Sequence, residues 1–158
     1  MRKQFSKILH DKMGEDDRIF LITGDLGYGL WDKIKIDFPN RFYNFGSSEQ
    51  LMVGAAAGVA TEGLIPVVYS ITPFVLYRPY EFIRNYLNHE EIPVKLLGGG
   101  RDRDYGHLGF SHWAEDDRTM IRNFDNIAGY WPETVKELEE SIDQYLFDGK
   151  PNYLNLKR

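Results

Sequence analysis

Short apolar runs alternate along this chain with segments that have the periodicity of amphipathic helices. The clearest runs are residues 18–23 (RIFLIT), 66–70 (PVVYS) and 93–97 (PVKLL). Between them, apolar residues recur at every third or fourth position, as they do on one face of a helix. Strands that alternate with helices need crossover connections, which place the strands parallel in one sheet with helices on both faces. The sequence therefore predicts an α/β fold with a doubly wound, mostly parallel sheet.

The remaining segments continue this alternation to the end of the chain. Three further strands are predicted at residues 41–45, 127–131 and 152–157. Helices are predicted at residues 5–13, 30–38, 48–63, 74–87, 115–123 and 132–146, the last of them opened by Pro132. A chain of 158 residues buries one good hydrophobic core and is too short for two comfortable ones. We therefore expect a single domain over residues 1–158.

Charge and composition exclude several classes of protein. The formal net charge of −5 argues against nucleic acid as a partner, because such binding depends on basic residues that neutralise phosphates. No segment approaches the roughly 20 apolar residues that span a bilayer, and residues 1–13 lack the apolar core of a signal peptide. We therefore expect a cytoplasmic protein that does not bind membranes. The chain has no cysteine, so it forms no disulfide and offers no thiolate to a metal.

The candidate site lies in the loops that follow the strands. In a doubly wound sheet, ligands bind beyond the carboxyl ends of the strands, which here means the loops after Thr23, Phe45, Ser70 and Leu97. The first of these loops contains GDLG at 24–27. This motif lacks the lysine of a phosphate-binding loop and the third glycine of a dinucleotide fingerprint, and by itself it is typical of a turn.

Glu49 stands at the amino end of a helix made mostly of glycine, alanine and valine. An acidic residue at such a position often does no more than complement the helix dipole on an exposed turn. The helix behind Glu49 is so small and apolar that we expect it to be buried, and burial would draw the carboxylate inside, where it needs a partner. The small residues from Gly54 to Gly58 also let this helix pack closely against a neighbouring backbone.

Aromatic residues and histidines mark the two later loops. Phe74, Tyr77 and Tyr80 are spaced at i, i+3 and i+6 on roughly one face of a predicted helix. Such a stripe belongs to a hydrophobic core more often than to a cofactor site. His107 and His112 lie in a glycine-rich loop, where a histidine can be catalytic, bind phosphate or face solvent. Their spacing does not fit a zinc site, so we predict no metal site within this chain.

Taken in order, these features resemble the pyrimidine-binding domain of transketolases and of deoxyxylulose-phosphate synthases. The resemblance is collinear from Arg2 and Phe5 through DLG to GFSH and the closing PNYLNLKR. Its most specific part is FPNRFYNFGSSEQLMVGAAAGVATEGLIPVVYSITPF, in which a strand, a glycine, two residues and a glutamate precede a helix of small residues. The resemblance implies the thiamine diphosphate-binding fold of the pyrimidine type.

The resemblance also implies roles for individual residues. Glu49 would hydrogen bond to N1′ of the aminopyrimidine of thiamine diphosphate and share a proton with it, which favours the imino tautomer of the ring. His112 would be the second catalytic residue, close to the substrate. The other implied cofactor contacts are Asp25, Leu26, Phe74, Tyr77 and Tyr80, and the implied substrate contacts are Arg2, His107 and Arg158.

Part of the family pattern is missing from these 158 residues. The family holds the diphosphate and Mg²⁺ through a GDG motif followed about thirty residues later by asparagine, and no such arrangement is present. The family's third domain, which would follow the last strand, is also missing. We therefore expect a separate subunit that works with a partner chain carrying the GDG domain, in a hetero-oligomer with a two-fold core.

The substrate contacts also depart from those of the usual transketolases. Gly29, Gly100 and Leu108 stand where the family places a serine, a histidine and an aspartate. We therefore expect sugar-like substrates other than the ordinary pentose phosphates. Ketol transfer is the favoured reaction. The alternatives are the pyrimidine-domain subunit of a two-subunit 2-oxoacid decarboxylase, or a regulatory subunit without catalysis.

Overall fold

The computed structural model describes all of residues 1–158, and six strands form its single sheet. The strands are β1 (Ile19–Thr23), β2 (Phe42–Asn44), β3 (Ile65–Ile71), β4 (Lys95–Gly99), β5 (Ala128–Tyr130) and β6 (Asn152–Leu156). Their order across the sheet is β2-β1-β3-β4-β6-β5, and every neighbouring pair is parallel. Each strand overlaps a predicted one, so the expectation of a mostly parallel sheet is confirmed.

Helices connect successive strands. They are α1 (Arg2–Glu15), α2 (Asp32–Asp37), α3 (Glu49–Thr61), α4 (Thr72–Tyr77), α5 (Tyr80–Phe82), α6 (Asp117–Ile121) and α7 (Val135–Phe147). A π-helical segment, Ile83–His89, continues from α5, and short 3₁₀ turns lie at Pro39–Arg41, Gly106–Leu108 and Phe110–His112. None of these helices is both long and apolar enough to cross a lipid bilayer.

The sheet carries a hydrophobic core on each face. Side chains from α3, α4, the π-helical segment and α6 pack on one face, and side chains from α1, α2 and α7 pack on the other. Strand β3 shows the alternation, because Val68 faces the first core while Val67 and Tyr69 face the second. All seven residues of β3 are buried, as expected of a central strand covered on both sides. The doubly wound architecture is confirmed.

The strand order places a switch point between β1 and β3. From β1 the chain moves to β2 on one side, and then crosses back over β1 to form β3 on the other side. The loops that follow β1 and β3 therefore leave the sheet in opposite directions and open a crevice at its carboxyl edge. Helix α3, which starts after β2, begins beside this crevice with Glu49.

Two of the predicted helices differ from the observed ones. The helix predicted at 74–87 is broken at Arg78 and Pro79, because proline has no amide hydrogen for the helical hydrogen bond and its ring crowds the preceding turn. The helix predicted to open at Pro132 begins at Val135 instead. Thr134 caps it by accepting a hydrogen bond from the backbone N–H of Glu137 at 3.2 Å.

Candidate active site at the carboxyl edge of the sheet

Glu49 is the buried acidic residue of this edge. It is the first residue of α3, and its side chain is only 1% exposed. Ser70 donates its hydroxyl to Oε1 of Glu49 at 3.1 Å, and Nη1 of Arg78 donates to Oε2 at 2.8 Å. The apolar helix thus draws the carboxylate inside, as the sequence indicated, and two donors from β3 and the end of α4 compensate its burial.

Arg78 joins two of the predicted cofactor contacts. Its guanidinium carbon lies 3.6 Å from the centre of the Phe74 ring while its Nη1 contacts Glu49. The Arg78 side chain is 45% exposed, so its outer part faces solvent. Sequence reasoning missed both Ser70 and Arg78. The local pattern contains no signal for either, because their contacts with Glu49 span 21 and 29 residues of sequence.

The three aromatic residues do not lie on one continuous helix. The ring of Phe74 lies 4.9 Å from that of His112, whereas the ring of Tyr80 lies 5.6 Å from that of Phe124. Tyr77 lines a groove together with Phe110, Trp113 and Asp116, and burial raises its pKa. The single helix predicted to carry all three is therefore wrong, because α4 ends at Tyr77 and a new helix begins at Tyr80 after Pro79.

Asn44 holds the loop that contains the DLG motif. Its side-chain oxygen accepts hydrogen bonds from the backbone N–H groups of Asp25 at 2.8 Å and Gly46 at 3.0 Å. Asp25 has a positive φ of 59°, an uncommon conformation for a residue with a side chain. Hydrogen bonds from Tyr28 and Asn44 lower the pKa of Asp25. Leu26 is half-buried and packs against the core on the α1 side of the sheet.

Three of the four remaining predicted residues meet at Tyr105. Arg2 donates from Nη1 to the Tyr105 hydroxyl at 3.0 Å, and the guanidinium carbon of Arg158 lies 5.0 Å from the Tyr105 ring. His112 lies 6.3 Å from the same ring, and its Nδ1 is 3.0 Å from Oγ of Ser111. His107 is exposed and makes no hydrogen bond to the others.

Tyr105 also fills the space beside Gly100. A side chain at position 100 would collide with the Tyr105 ring, and Gly100 has a φ of +90° that disfavours any residue with a side chain. A tyrosine from the following loop thus occupies the space that a side chain at position 100 would need. Sequence reasoning missed this contact, because the two residues are brought together by the fold of a loop without regular periodicity.

A buried polar network supports the loop from its inner side. One carboxylate oxygen of Asp117 accepts hydrogen bonds from Trp131, Tyr153 and Asn155, at 2.9, 2.8 and 2.9 Å. Asn155 also donates to the carbonyl of Gly100 at 3.1 Å. Burial raises the pKa of Asp117 despite these donors. The network links β6, α6 and the start of the histidine loop, and it fixes where that loop leaves the sheet.

Comparison with known families gives one match over the whole chain. The family described as "Transketolase, pyrimidine binding domain" matches residues 1–158. Among curated proteins, an apulose-4-phosphate transketolase subunit of Actinobacillus succinogenes is 33% identical over 76% of this chain and 39% of its own length. The "Putative transketolase C-terminal section" of Methanocaldococcus jannaschii is 31% identical over 100% of this chain and 50% of its own length.

A solved structure shows the same architecture. A split-gene transketolase, described as an inactive β4 tetramer, superposes with a TM-score of 0.87 at 26% sequence identity. The superposition covers 99% of this chain and 50% of the other chain. The chain thus spans about half the length, or less, of the proteins that it matches in these comparisons.

Proposed function

The chain belongs to the transketolase pyrimidine-binding domain family, and on this premise we propose that it is one subunit of a two-subunit thiamine diphosphate enzyme that transfers ketol groups. One observation carries the proposal. A buried glutamate, Glu49, begins α3 beside the switch point of a doubly wound sheet, and Arg78 connects it to the ring of Phe74. The position fits the place where such sheets bind ligands.

The residues at this site fit an aminopyrimidine ring. The space beside Glu49 and Phe74 already accepts a flat cationic group, the guanidinium of Arg78, which donates an N–H to the carboxylate and lies on the ring. A protonated aminopyrimidine is also flat and also donates an N–H. The aromatic face and the carboxylate thus offer the two contacts that such a ring needs.

The proposed roles of the chain's own residues follow from their contacts. When bound, thiamine diphosphate supplies the nucleophilic carbon that attacks the ketol donor. Glu49 holds and returns a proton at its outer oxygen, Oε2, while Ser70 fixes the inner oxygen, Oε1. Phe74 provides an apolar face for the ring. Asp25 and Leu26, in the loop that follows β1, would be further contacts of the cofactor.

The diphosphate and Mg²⁺ are proposed to be held by a partner chain. Two relatives, one named as a transketolase subunit and the other as a C-terminal section, support this division of labour. An exposed apolar groove of about 650 Å³ on the outer side of α3 is the surface that we assign to assembly. Leu51 is 56% exposed and Tyr86 is 43% exposed in this groove, and Gly58 has no neighbour within 4 Å of where a side chain would begin.

The substrate is proposed to be a small sugar with an acidic group. Arg2 and Arg158 provide positive charge beside Tyr105, and His112 lies between this pair and Phe74. His107, on the exposed side of the same loop, is proposed as a further contact. Since Tyr105 fills the space at Gly100, we expect a different fit from that of the ordinary pentose phosphates. A relative named for apulose 4-phosphate is consistent with such a shift.

Reconstitution tests the proposal. The chain alone should bind thiamine diphosphate weakly in excess Mg²⁺ by isothermal titration and should turn nothing over, because these residues lack the GDG motif that holds the diphosphate in the family. Mixed with a partner subunit that carries the GDG motif, it should bind tightly and transfer a ketol group without releasing CO₂. Release of CO₂ from a 2-oxoacid would indicate a decarboxylase instead. Tight binding by the lone chain would refute the divided site.

A further inference from the structure

Arg78 has an arrangement that the proposed function does not require. Its guanidinium is flat and permanently charged, lies 3.6 Å from the centre of the Phe74 ring, and donates to Glu49 at 2.8 Å. These are the two contacts that the proposed function assigns to the aminopyrimidine. Arg78, a residue of this chain, therefore already makes both the contact with Glu49 and the contact with Phe74.

We propose that Arg78 occupies the aminopyrimidine position in the cofactor-free subunit, and that it is displaced when the cofactor binds. The inference rests on the proposed function of Glu49 and Phe74. The guanidinium of Arg78 lies directly on the Phe74 ring, so a second flat group cannot stack on that face until Arg78 leaves it. Arg78 is thus a positioning residue that competes with the cofactor.

The surroundings of Arg78 allow this displacement. Its side chain is 45% exposed, while that of Glu49 is 1% exposed, so the arginine can turn into solvent and the carboxylate cannot. Arg78 stands immediately before Pro79, where the helical hydrogen bonding is interrupted. In this position Arg78 pairs with a buried carboxylate, and leaving that carboxylate without a partner would be strongly unfavourable.

If Arg78 competes with the cofactor, its removal should lower stability and yet tighten cofactor binding. Arg78→Ala leaves Glu49 without its charged donor, so the cofactor-free enzyme should melt at a lower temperature. Because the cofactor no longer has to displace a charge-assisted hydrogen bond, the Kd for thiamine diphosphate should fall by about tenfold. A merely structural arginine would give the lower melting temperature together with unchanged or weaker binding. Exposed Arg84, whose side chain donates to neighbouring Asn85, is the matched control and should change neither quantity when replaced by alanine.

The experiment measures the Kd for thiamine diphosphate by isothermal titration on the reconstituted two-subunit complex in excess Mg²⁺, together with the melting temperature with and without cofactor. Arg78→Gln is the second variant, because its amide still donates to Glu49 and keeps the fold if alanine does not. It should tighten binding by about threefold, since a neutral hydrogen bond is weaker than a charged one.

Each outcome decides for or against the competition. Tighter binding in either folded variant supports the inference. Binding that is unchanged or weaker in the folded variants overturns it, while leaving the proposed function in place. If the wild-type complex does not bind thiamine diphosphate at all, the proposed function fails, and the inference fails with it.

Discussion

Replacing Glu49 by glutamine is the sharpest test of the proposed chemistry. Glutamine has the same length, its oxygen can accept from Arg78, and its NH₂ group can donate to the Ser70 hydroxyl. Both buried contacts are therefore kept, at 2.8 and 3.1 Å in the wild type. The free energy of unfolding should therefore fall only by the difference between a charged and a neutral hydrogen bond, about 1 kcal/mol. For a chain of this size that corresponds to a fall of about 2–4 °C in melting temperature.

The effect on cofactor activation should be much larger. Glutamine cannot take up and return a proton, and the loss of a positioned acid–base group typically costs a factor of about 10²–10⁴ in rate. The assay follows exchange of the cofactor's C2 proton into deuterated water in the reconstituted complex, with the melting temperature measured on the same samples. Exposed Glu62, which ends the same helix, is the control, and Glu62→Gln should exchange at the wild-type rate.

The result can refute the reasoning in a direct way. A Glu49→Gln complex that binds cofactor and exchanges the C2 proton at the wild-type rate would show that Glu49 is only a buried structural carboxylate. The proposed activation of the cofactor by this chain would then be wrong. Slow exchange in a variant that also unfolds would not meet the expectation either, because the structure predicts that the fold is retained.

Three further substitutions test the assembly surface and the stability of the fold. Gly58→Leu should weaken binding of the partner subunit, measured by analytical ultracentrifugation. It should not lower the melting temperature of the lone chain, because Gly58 is open to solvent. Gly54→Leu should lower that temperature, since a side chain there would start 2.8 Å from the Phe82 ring; equal melting of the two variants would contradict this. Burial raises the pKa of Asp117 in the folded state above its ordinary value of about 3.8. The protonated carboxyl therefore contributes to stability at pH values below about 3.8, and this contribution is lost as the pH rises through the folded-state pKa. In Asp117→Asn, the unfolding free energy measured by urea titration should therefore fall less steeply with rising pH than in the wild type. The same pH dependence in both proteins would contradict this prediction.

The fold was predictable because local patterns determine most of it. The apolar runs at β1, β3 and β4 are long enough to be recognised as buried strands, and their alternation with helices requires a parallel sheet. The burial of Glu49 also followed from a local property, the small apolar residues of α3. In both cases the information lies within about fifteen neighbouring residues, which is the range of hydrophobic periodicity.

The parts that were not predicted depend on contacts between distant residues. Arg78 and Ser70 reach Glu49 across β3 and α4, and Tyr105 reaches Gly100 through an irregular loop. The break at Pro79 was a local signal, and the i, i+3, i+6 spacing of the aromatic residues outweighed it. Residues three apart share a face only within one continuous helix. Because α4 ends at Tyr77, the spacing between Tyr77 and Tyr80 does not place these two residues on the same face.

The shared acceptor at Asn44 has a mechanical consequence. Because the amides of Asp25 and Gly46 both donate to one oxygen, the turn after β1 cannot open without loosening the entry to α3. The two segments therefore form one cooperative opening unit. Under the proposed function, a ligand that orders the Asp25 turn would also restrain the segment that leads to Glu49, and Asn44 would couple its contacts at the two places.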